Sequence, residues 1–332
     1  MKDLLKSRTK IIGLILAVLV LLVMPPLYSS YWVTLLTQML IFAILAMSLD
    51  ILVGYSGLSS FGHAGFFGVA GYAVAILSTR YKMGFLFCLL SGVSLSVLIS
   101  MVFGFLVAHA TGVYFLIITL ALGMVLWGLA FRWVTMTGGD NGISGILRPD
   151  IGLPIVMKDP LTFYYVILGF AVIAFILMAV LVRSPFGHSL KGIRESESRM
   201  RVLGYHSWLH KYLSYVVAAA FAGFAGVFWA YFNGFISPFD MDLNASIEIL
   251  LMVILGGPGT LIGPALGAGI IVFLKNFISA YTQRWLLILG TIYILTILYA
   301  PQGLINLLKE WLKGRQNREC ERKLTDGEKE RE

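Results

Sequence analysis

Apolar residues in this chain fall in long unbroken blocks, with short polar stretches between them. A bilayer core about 30 Å thick is crossed by about 20 residues of helix, so such blocks read as membrane spans. The first runs from about Ile11 to Met24 and stops at Pro25-Pro26. The second, about Trp32 to Leu52, opens on Tyr31-Trp32, a pair suited to the headgroup interface. The stretch from Gly54 to Tyr72 begins too rich in Gly and Ser for a stable lipid-facing helix, then continues as apolar helix to about Ser78. Further spans are predicted over about Gly84 to Ala108, Val113 to Trp133, Thr162 to Val182, Tyr212 to Phe232 and Arg284 to Ala300. Ile247 to Leu274 is apolar but interrupted by Gly-Gly-Pro-Gly-Thr at Gly256 to Thr260. The fold class is therefore an all-α polytopic membrane protein of about 8–10 transmembrane helices, broken or re-entrant at the Gly-rich stretches. The membrane domain covers residues 1–308, and a charged tail covers 309–332.

The longest polar island inside the apolar chain is Ser184 to Lys211, which carries Lys191, Arg194, Arg199 and Arg201 against Glu195 and Glu197. Lys and Arg in short loops favour the cytoplasmic side. That rule puts this loop and the N-terminus (Lys2, Lys6, Arg8, Lys10) inside, and one crossing per span makes the two placements agree. The loop from Thr135 to Pro160 and the one with Asp240 and Asp242 then fall outside. The tail returns inside if Ile247 to Leu274 is two short helices joined at Gly256 to Thr260. Arg80 and Lys82 fall outside and break the rule.

Composition narrows the class without changing it. Of 332 residues 58% are hydrophobic and 13% charged, about half the charge of a soluble globule. The net charge of +8 is gathered mainly at the N-terminus and in the basic loop, where topology explains it, and nucleic acid is not implied. Cys88 and Cys320 cannot build a disulfide framework and have no metal-ligand spacing around them. The N-terminus resembles a signal peptide but is followed by Met24, Pro25 and Pro26 in place of small cleavage-site residues, so an uncleaved first span is expected.

Two Gly-rich stretches echo each other: Gly54, Gly57, Gly62 and Gly68 parallel Gly256, Gly259, Gly263 and Gly267. Interrupted helices in transporters line the solute route, and wetted backbone is tolerated there. Small residues spaced by four, such as Ala218, Ala222 and Gly226, equally serve close helix packing. Both readings stand for most of these glycines, while Gly256, Gly257, Pro258 and Gly259 favour a broken helix. Ionisable groups inside spans are few: Asp50, His63, His109, Glu248 and Lys275. Intramembrane charges are functional suspects, although those near span ends reach water by snorkelling. The pathway candidates are thus Gly54, Gly57, His63, Glu248, Gly256, Gly257 and Gly259. So few buried acids argue against a proton- or sodium-coupled carrier or channel, the competing class. No Gly-rich run is followed by the Lys-Ser or Lys-Thr of a phosphate-binding loop, and no catalytic constellation is present, so no enzyme, cofactor or metal site is expected.

In the basic loop, Leu190, Ile193, Met200 and Leu203 fall near one side of a helix, with Pro185 at its start and Gly204 at its end. Such an amphipathic helix either lies in lipid headgroups or enters a groove on a protein.

Four separated runs carry a resemblance: LVGYSGLSSFGHAGFFGVAGYAVAIL, TGGDNGISGI, SPFGHSLKGIRESESRMRVLGY and SIEILLMVILGGPGTLIGPALGA. Together, from about Thr34 to Gly303, they resemble the permease subunits of branched-chain amino acid ABC importers, specifically the LivM-like member. Asp50 departs from that pattern, which more often has Asn, and the tail beyond Lys309 has no clear counterpart. The resemblance implies a second, LivH-like permease, two ATPase subunits (LivG- and LivF-like) that bind the ATP, and an extracytoplasmic substrate-binding protein. It implies that the loop carries a coupling helix seated in an ATPase cleft, here Pro185, Phe186, Gly187, Leu190, Ile193, Arg194, Glu195, Glu197, Met200, Leu203 and Gly204. The implied substrates are leucine, isoleucine and valine, with urea, short amides or other amino acids as the alternative. The chain itself would do no chemistry.

Overall fold

The computed structural model describes residues 21–22, 29–148, 159–282, 284–299 and 303. Nearly all of the first predicted span, part of the Thr135 to Pro160 loop and the charged tail lie outside the described residues. Among the described residues nine helices of more than ten residues, besides those of the basic loop, follow in order: α1 Ser30–Asp50, α2 His63–Thr79, α3 Phe85–Val107, α4 Gly112–Arg132, α5 Pro160–Arg183, then α8 Ser207–Asn233, α9 Leu243–Gly256, α10 Ile262–Ser279 and α11 Trp285–Tyr299. The basic loop supplies α6 Pro185–Glu195 and α7 Glu197–Val202. Six helices among the described residues are long and apolar enough to cross a membrane, and α2 and α9 are shorter apolar helices. The chain is an all-α polytopic membrane protein.

α1 and α8 form the centre of the bundle, with 61% and 67% of their most apolar windows buried, against 28% for α3 and α4. The difference follows from side-chain size. α8 offers Ala218, Ala222, Gly223, Ala225 and Gly226, so neighbours pack onto its backbone. A methyl on Gly226 would strike the Phe67 carbonyl, and one on Gly223 would meet Ser96 at 2.6 Å. Small residues thus give close approach where lipid supplies no hydrophobic drive. α3, α4 and α5 instead expose large side chains, among them Leu86, Val102, Phe105, Tyr114, Val125 and Val180, as helices facing lipid do.

One end of the bundle is marked by two contacts. A two-residue antiparallel ladder pairs Ile143–Ser144, beyond α4, with Phe235–Ile236, beyond α8. The guanidinium of Arg80, after α2, donates to the Thr135 carbonyl at 2.7 Å. The Arg80 exception to the charge rule is therefore a tether to the loop after α4. We call this the ladder end, and the one carrying α6 and α7 the basic end. α9 runs from the ladder end towards the basic end, and α10 returns, as two helices joined near Gly256 to Thr260.

Local chemistry starts and stops these elements. Pro160 and Pro185 occupy first turns, where a missing N–H costs nothing. Ser184 caps α6 by accepting from the Gly187 N–H, and Asp242 caps α9 by accepting from the Ala245 N–H at 2.7 Å. α8 begins at Ser207, five residues before the predicted span, because the charge of Lys211 is neutralised in place rather than left to water.

Candidate coupling seam and substrate cavity

The chain between α1 and α2 does not bend at once. Ile51–Ser56 continues α1 as a π-helical turn, and Gly57 then takes a left-handed φ of 73°. The extra residue per turn in a π segment displaces carbonyls from their helical partners, and such turns gather at functional sites. Ser56 anchors the turn to α8 by donating to the Ser214 hydroxyl at 3.2 Å. Between α9 and α10 the backbone is forced further. Gly257 and Gly259 have φ of 100° and 83°, and Leu261 has φ 55° and ψ −50°. For a non-glycine residue that is a strained γ-turn, with the Ile262 N–H donating to the Thr260 carbonyl at 2.6 Å.

Asp50 holds the two interruptions together. Its carboxylate is fully buried and accepts from the Gly259 N–H at 2.7 Å and from the Leu261 N–H at 3.2 Å. The backbones touch: a methyl on Gly54 would collide with the Asp50 carboxylate and with the Gly259 amide. Arg194 of α6 closes the arrangement by donating through Nη1 to the Gly54 carbonyl. A cation at a helix C-terminus satisfies an orphan acceptor and complements the dipole. Lys191, one turn earlier, sets its ammonium 5.1 Å from the centre of the Tyr55 ring. Two residues of the basic loop, Arg194 and Lys191, thus contact the end of α1, which is clasped in turn to the α9–α10 turn.

The basic loop differs from the single amphipathic helix expected. Ser196 leaves the helical region (φ −161°, ψ 102°) and caps α7 by accepting from the Arg199 N–H. Leu190 and Ile193 are 1% and 4% exposed, against the membrane helices, so half of the apolar stripe faces inward. Gly187 packs on the Val182 carbonyl, Phe186 stacks on His210 at 5.6 Å, and Met200 lies against Gly192. Pro185 and Glu195 are exposed. The most exposed apolar side chains of the loop are Val202 and Leu203, 89% and 70% exposed, ahead of Gly204. Glu197 is not offered outward: it bonds Arg201 at 2.5 Å, Lys211 at 2.6 Å and the Ser207 hydroxyl at 3.0 Å. Burial acts to raise its pKa, but these three donors outweigh it and hold the carboxyl below its ordinary range.

Of the predicted pathway residues, Gly54, Gly57 and Gly259 meet in this seam, and Gly256 packs on Gly263 of α10 beside it. Gly54 packs on the Gly259 backbone, and Gly57, itself exposed, lies against the Arg194 side chain; the absent side chains let Asp50 and Arg194 reach in. Gly257 supplies the turn. His63 is apart from them, buried, with Nε2 2.7 Å from the Ser48 hydroxyl across α1 and α2. Glu248 is elsewhere again. It lines a cavity of about 370 Å³ between the ladder end and the bundle centre, with Lys275, Asp240, Asp242, Phe42, Phe67 and Trp229 among its walls. Glu248 and Lys275 are paired at 2.9 Å and 3.0 Å. Burial pushes the Asp240 carboxyl up, opposed by hydrogen bonds from Ser237 and Trp229. Among the described residues no group of His, Cys, Asp or Glu is placed to hold a metal ion.

With this geometry in place, the family follows from comparison. The sequence profile of the family described as branched-chain amino acid transport system / permease component matches residues 31–298. The chain belongs to this permease family. The high-affinity branched-chain amino acid transport system permease protein LivM of Salmonella typhimurium is 31% identical over 299 residues, covering 83% of this chain and 70% of that protein. LivM of Escherichia coli K12 is 31% identical over 322 residues, covering 90% and 76%. The probable LivM of Methanocaldococcus jannaschii is 26% identical over 182 residues, covering 50% and 52%. No solved structure gives a significant match. The permease-family match spans the seam and the cavity alike, since both lie within residues 31–298.

Sequence reasoning missed the roles of Asp50, Lys211 and Leu261. Asp50 was readable as an odd residue, an acid near a span end. Its partners stand more than 200 positions away in sequence, and nothing local announces them.

Proposed function

We propose that this permease subunit imports branched-chain amino acids, that ATP hydrolysis in partner subunits drives it, and that the α6–α7 loop receives the stroke. On this reading the basic end is cytoplasmic, as are both chain termini. Two ATPases bind the nucleotide, a second permease completes the membrane unit, and an extracytoplasmic protein delivers solute at the ladder end. The chain is not itself an enzyme. The observation that carries the proposal is Arg194, which joins the exposed loop to the Gly54 carbonyl and through it to the clasped turns. A rigid shift of α6 withdraws Arg194 from the end of α1. The Asp50 clasp then bears the load alone, and the strained Leu261 turn favours its release. Packed interfaces switch between discrete arrangements rather than bending, so opening at the basic end is coupled to the loop position.

The test is the reconstituted transporter carrying Val202→Asp with Leu203→Asp. Both side chains are exposed, so the fold and the pairing of the two permeases are expected to persist. ATPase co-purification and ATP-driven leucine uptake should each fall about tenfold or more, the scale of losing a buried interface anchor. Unchanged uptake, or accumulation of leucine by the purified chain alone in liposomes, would overturn the proposal. Ile193 is a poorer probe than its place on the stripe suggested, because it is buried within the permease.

A further inference from the structure

We infer that the cavity at the ladder end is a binding site for one small zwitterionic α-amino acid with an aliphatic side chain, read by Glu248 and Lys275. This rests on the importer reading above and names the residues that would hold its substrate in transit. Three observations converge. The first is the pair itself: an acid on α9 and an ammonium on α10, 27 positions apart, meeting at the wall of a cavity. Glu248 and Lys275 side chains remain 15% and 30% exposed, so the charges face space as well as each other. An ion pair kept only for packing is commonly matched or bettered by apolar residues, and charge at membrane depth marks solute routes.

The second is the aromatic part of the cavity lining. Phe42, Phe67 and Trp229 form one aromatic surface, with Trp229 centred 5.2 Å from Phe42 and 6.1 Å from Phe67. Trp229 is fixed in orientation by donating through Nε1 to Asp240 at 2.9 Å. Apolar walls with a few convergent polar groups are what small-molecule sites have in common. The third is the occupation of the other acids. Asp240 accepts from Trp229 and Ser237, and Asp242 accepts from Ala245 and Asn244. Both are committed to local structure, which leaves Glu248 and Lys275 as the pair whose hydrogen bonds can be exchanged.

A ligand carrying an ammonium and a carboxylate on one carbon replaces the internal pair with two intermolecular ones. Its ammonium takes the Glu248 carboxylate and its carboxylate takes Lys275, so no buried charge is left alone. An aliphatic side chain then lies against the aromatic wall. A plain amine or a plain acid satisfies one partner and strands the other, which costs more than it gains.

The experiment uses the whole transporter with its binding protein in proteoliposomes, and the double variant Glu248→Gln with Lys275→Met. The double variant removes both members of the pair together, so neither is left facing the other's bare charge. A structural ion pair predicts leucine uptake near wild type in the double variant. The binding role predicts a fall of about 10- to 100-fold, the range for losing charged hydrogen bonds to a ligand. In parallel, the wild-type transporter without binding protein is melted with leucine, 3-methylbutylamine or 4-methylpentanoate. Leucine is expected to raise Tm and the two single-charge analogues are not. Wild-type uptake in the double variant, or equal shifts for all three compounds, would sink the inference. A wild-type transporter that imports no leucine would instead count against the importer reading, and the melting series would still decide the cavity.

Discussion

Among the described residues two glutamate–lysine pairs of similar length sit in opposite surroundings. Glu197 and Lys211 meet at the basic end at 2.6 Å, and Glu248 and Lys275 meet near the ladder end at 2.9 Å. In the first, Arg201 and Ser207 add donors to the same carboxylate, and the Lys211 side chain is only 4% exposed. In the second, the pair borders a cavity and its lysine keeps 30% exposure. A satisfied network rigidifies what it joins. An ion pair beside open space can trade partners. The same two residue types thus serve as a rivet at one end and as a reader of charge at the other.

The sharpest break of this comparison is Glu197→Gln. It strands the Lys211 charge in the bundle, and losing one partner of a buried pair costs about 3–5 kcal/mol. The Tm of the purified permease should drop accordingly. Adding Lys211→Met should restore most of it, together with uptake, whereas the matching double variant in the cavity restores no uptake. If both doubles behave alike, the distinction between rivet and reader is wrong. Acid gives a second check. The folded pKa of Glu197 lies below its ordinary value of 4.5. Its stabilising share is therefore full above that value and lost as pH falls through the lower folded one. Loosening of α7 should be absent at neutral pH and appear only in strong acid.

Glycine packing separates the two ends by a smaller margin. Gly54→Ala puts a methyl between the Asp50 carboxylate and the Gly259 amide, and overpacking against backbone costs about 3 kcal/mol. Gly269 on α10 has nothing within 4 Å of a methyl. Gly269→Ala should instead raise stability by about 0.5–1 kcal/mol, the ordinary helix gain. Thermal melts of the two variants in nanodiscs decide this. An equally benign Gly54→Ala would mean that the seam is looser than drawn.

What could be read in advance follows a physical line. Spans were legible because length and hydropathy suffice to place a helix in a bilayer. The split of Ile247 to Leu274 was legible because Gly257, Pro258 and Gly259 cannot continue a helix. The break at Ser196 was not, since apolar positions keep their period from Leu190 through Met200 across it. Only the Ser-x-x-Arg start of α7 hinted at a cap. Periodicity also found the stripe of Leu190 and Ile193 without saying what covers it, and the cover is the permease's own bundle. Glu248 and Lys275 were both visible as intramembrane charges. Their pairing depends on how α9 and α10 fold back, which no local pattern encodes.

The smallest expected change in stability, and the most direct test of the seam, is Asp50→Asn. Asn has the same size and shape as Asp, so the side chain fits the same space. Its single oxygen still accepts from the Gly259 N–H. Its amide nitrogen then faces the Leu261 N–H, donor against donor, where Asp50 now accepts at 3.2 Å. Neutralising the buried carboxylate also removes its attraction to Arg194. Relief of charge burial offsets part of the loss, so global stability should shift by about 1 kcal/mol or less. The closed seam bears the rest, because the strained Leu261 turn loses the bond that holds it. A bias of about 1.4 kcal/mol towards opening is tenfold in the closed-to-open ratio. Ser56→Cys reports it: Ser56 is 3% exposed and lies in the π-helical turn. In a Cys320→Ser background, with Cys88 buried, a membrane-impermeant thiol reagent applied from the basic side should label Cys introduced at Ser56 about tenfold faster when Asp50 is Asn. Labelling at an unchanged rate would show that Asp50 does not hold the seam shut, and that the closure at the basic end rests on glycine packing and Arg194 alone.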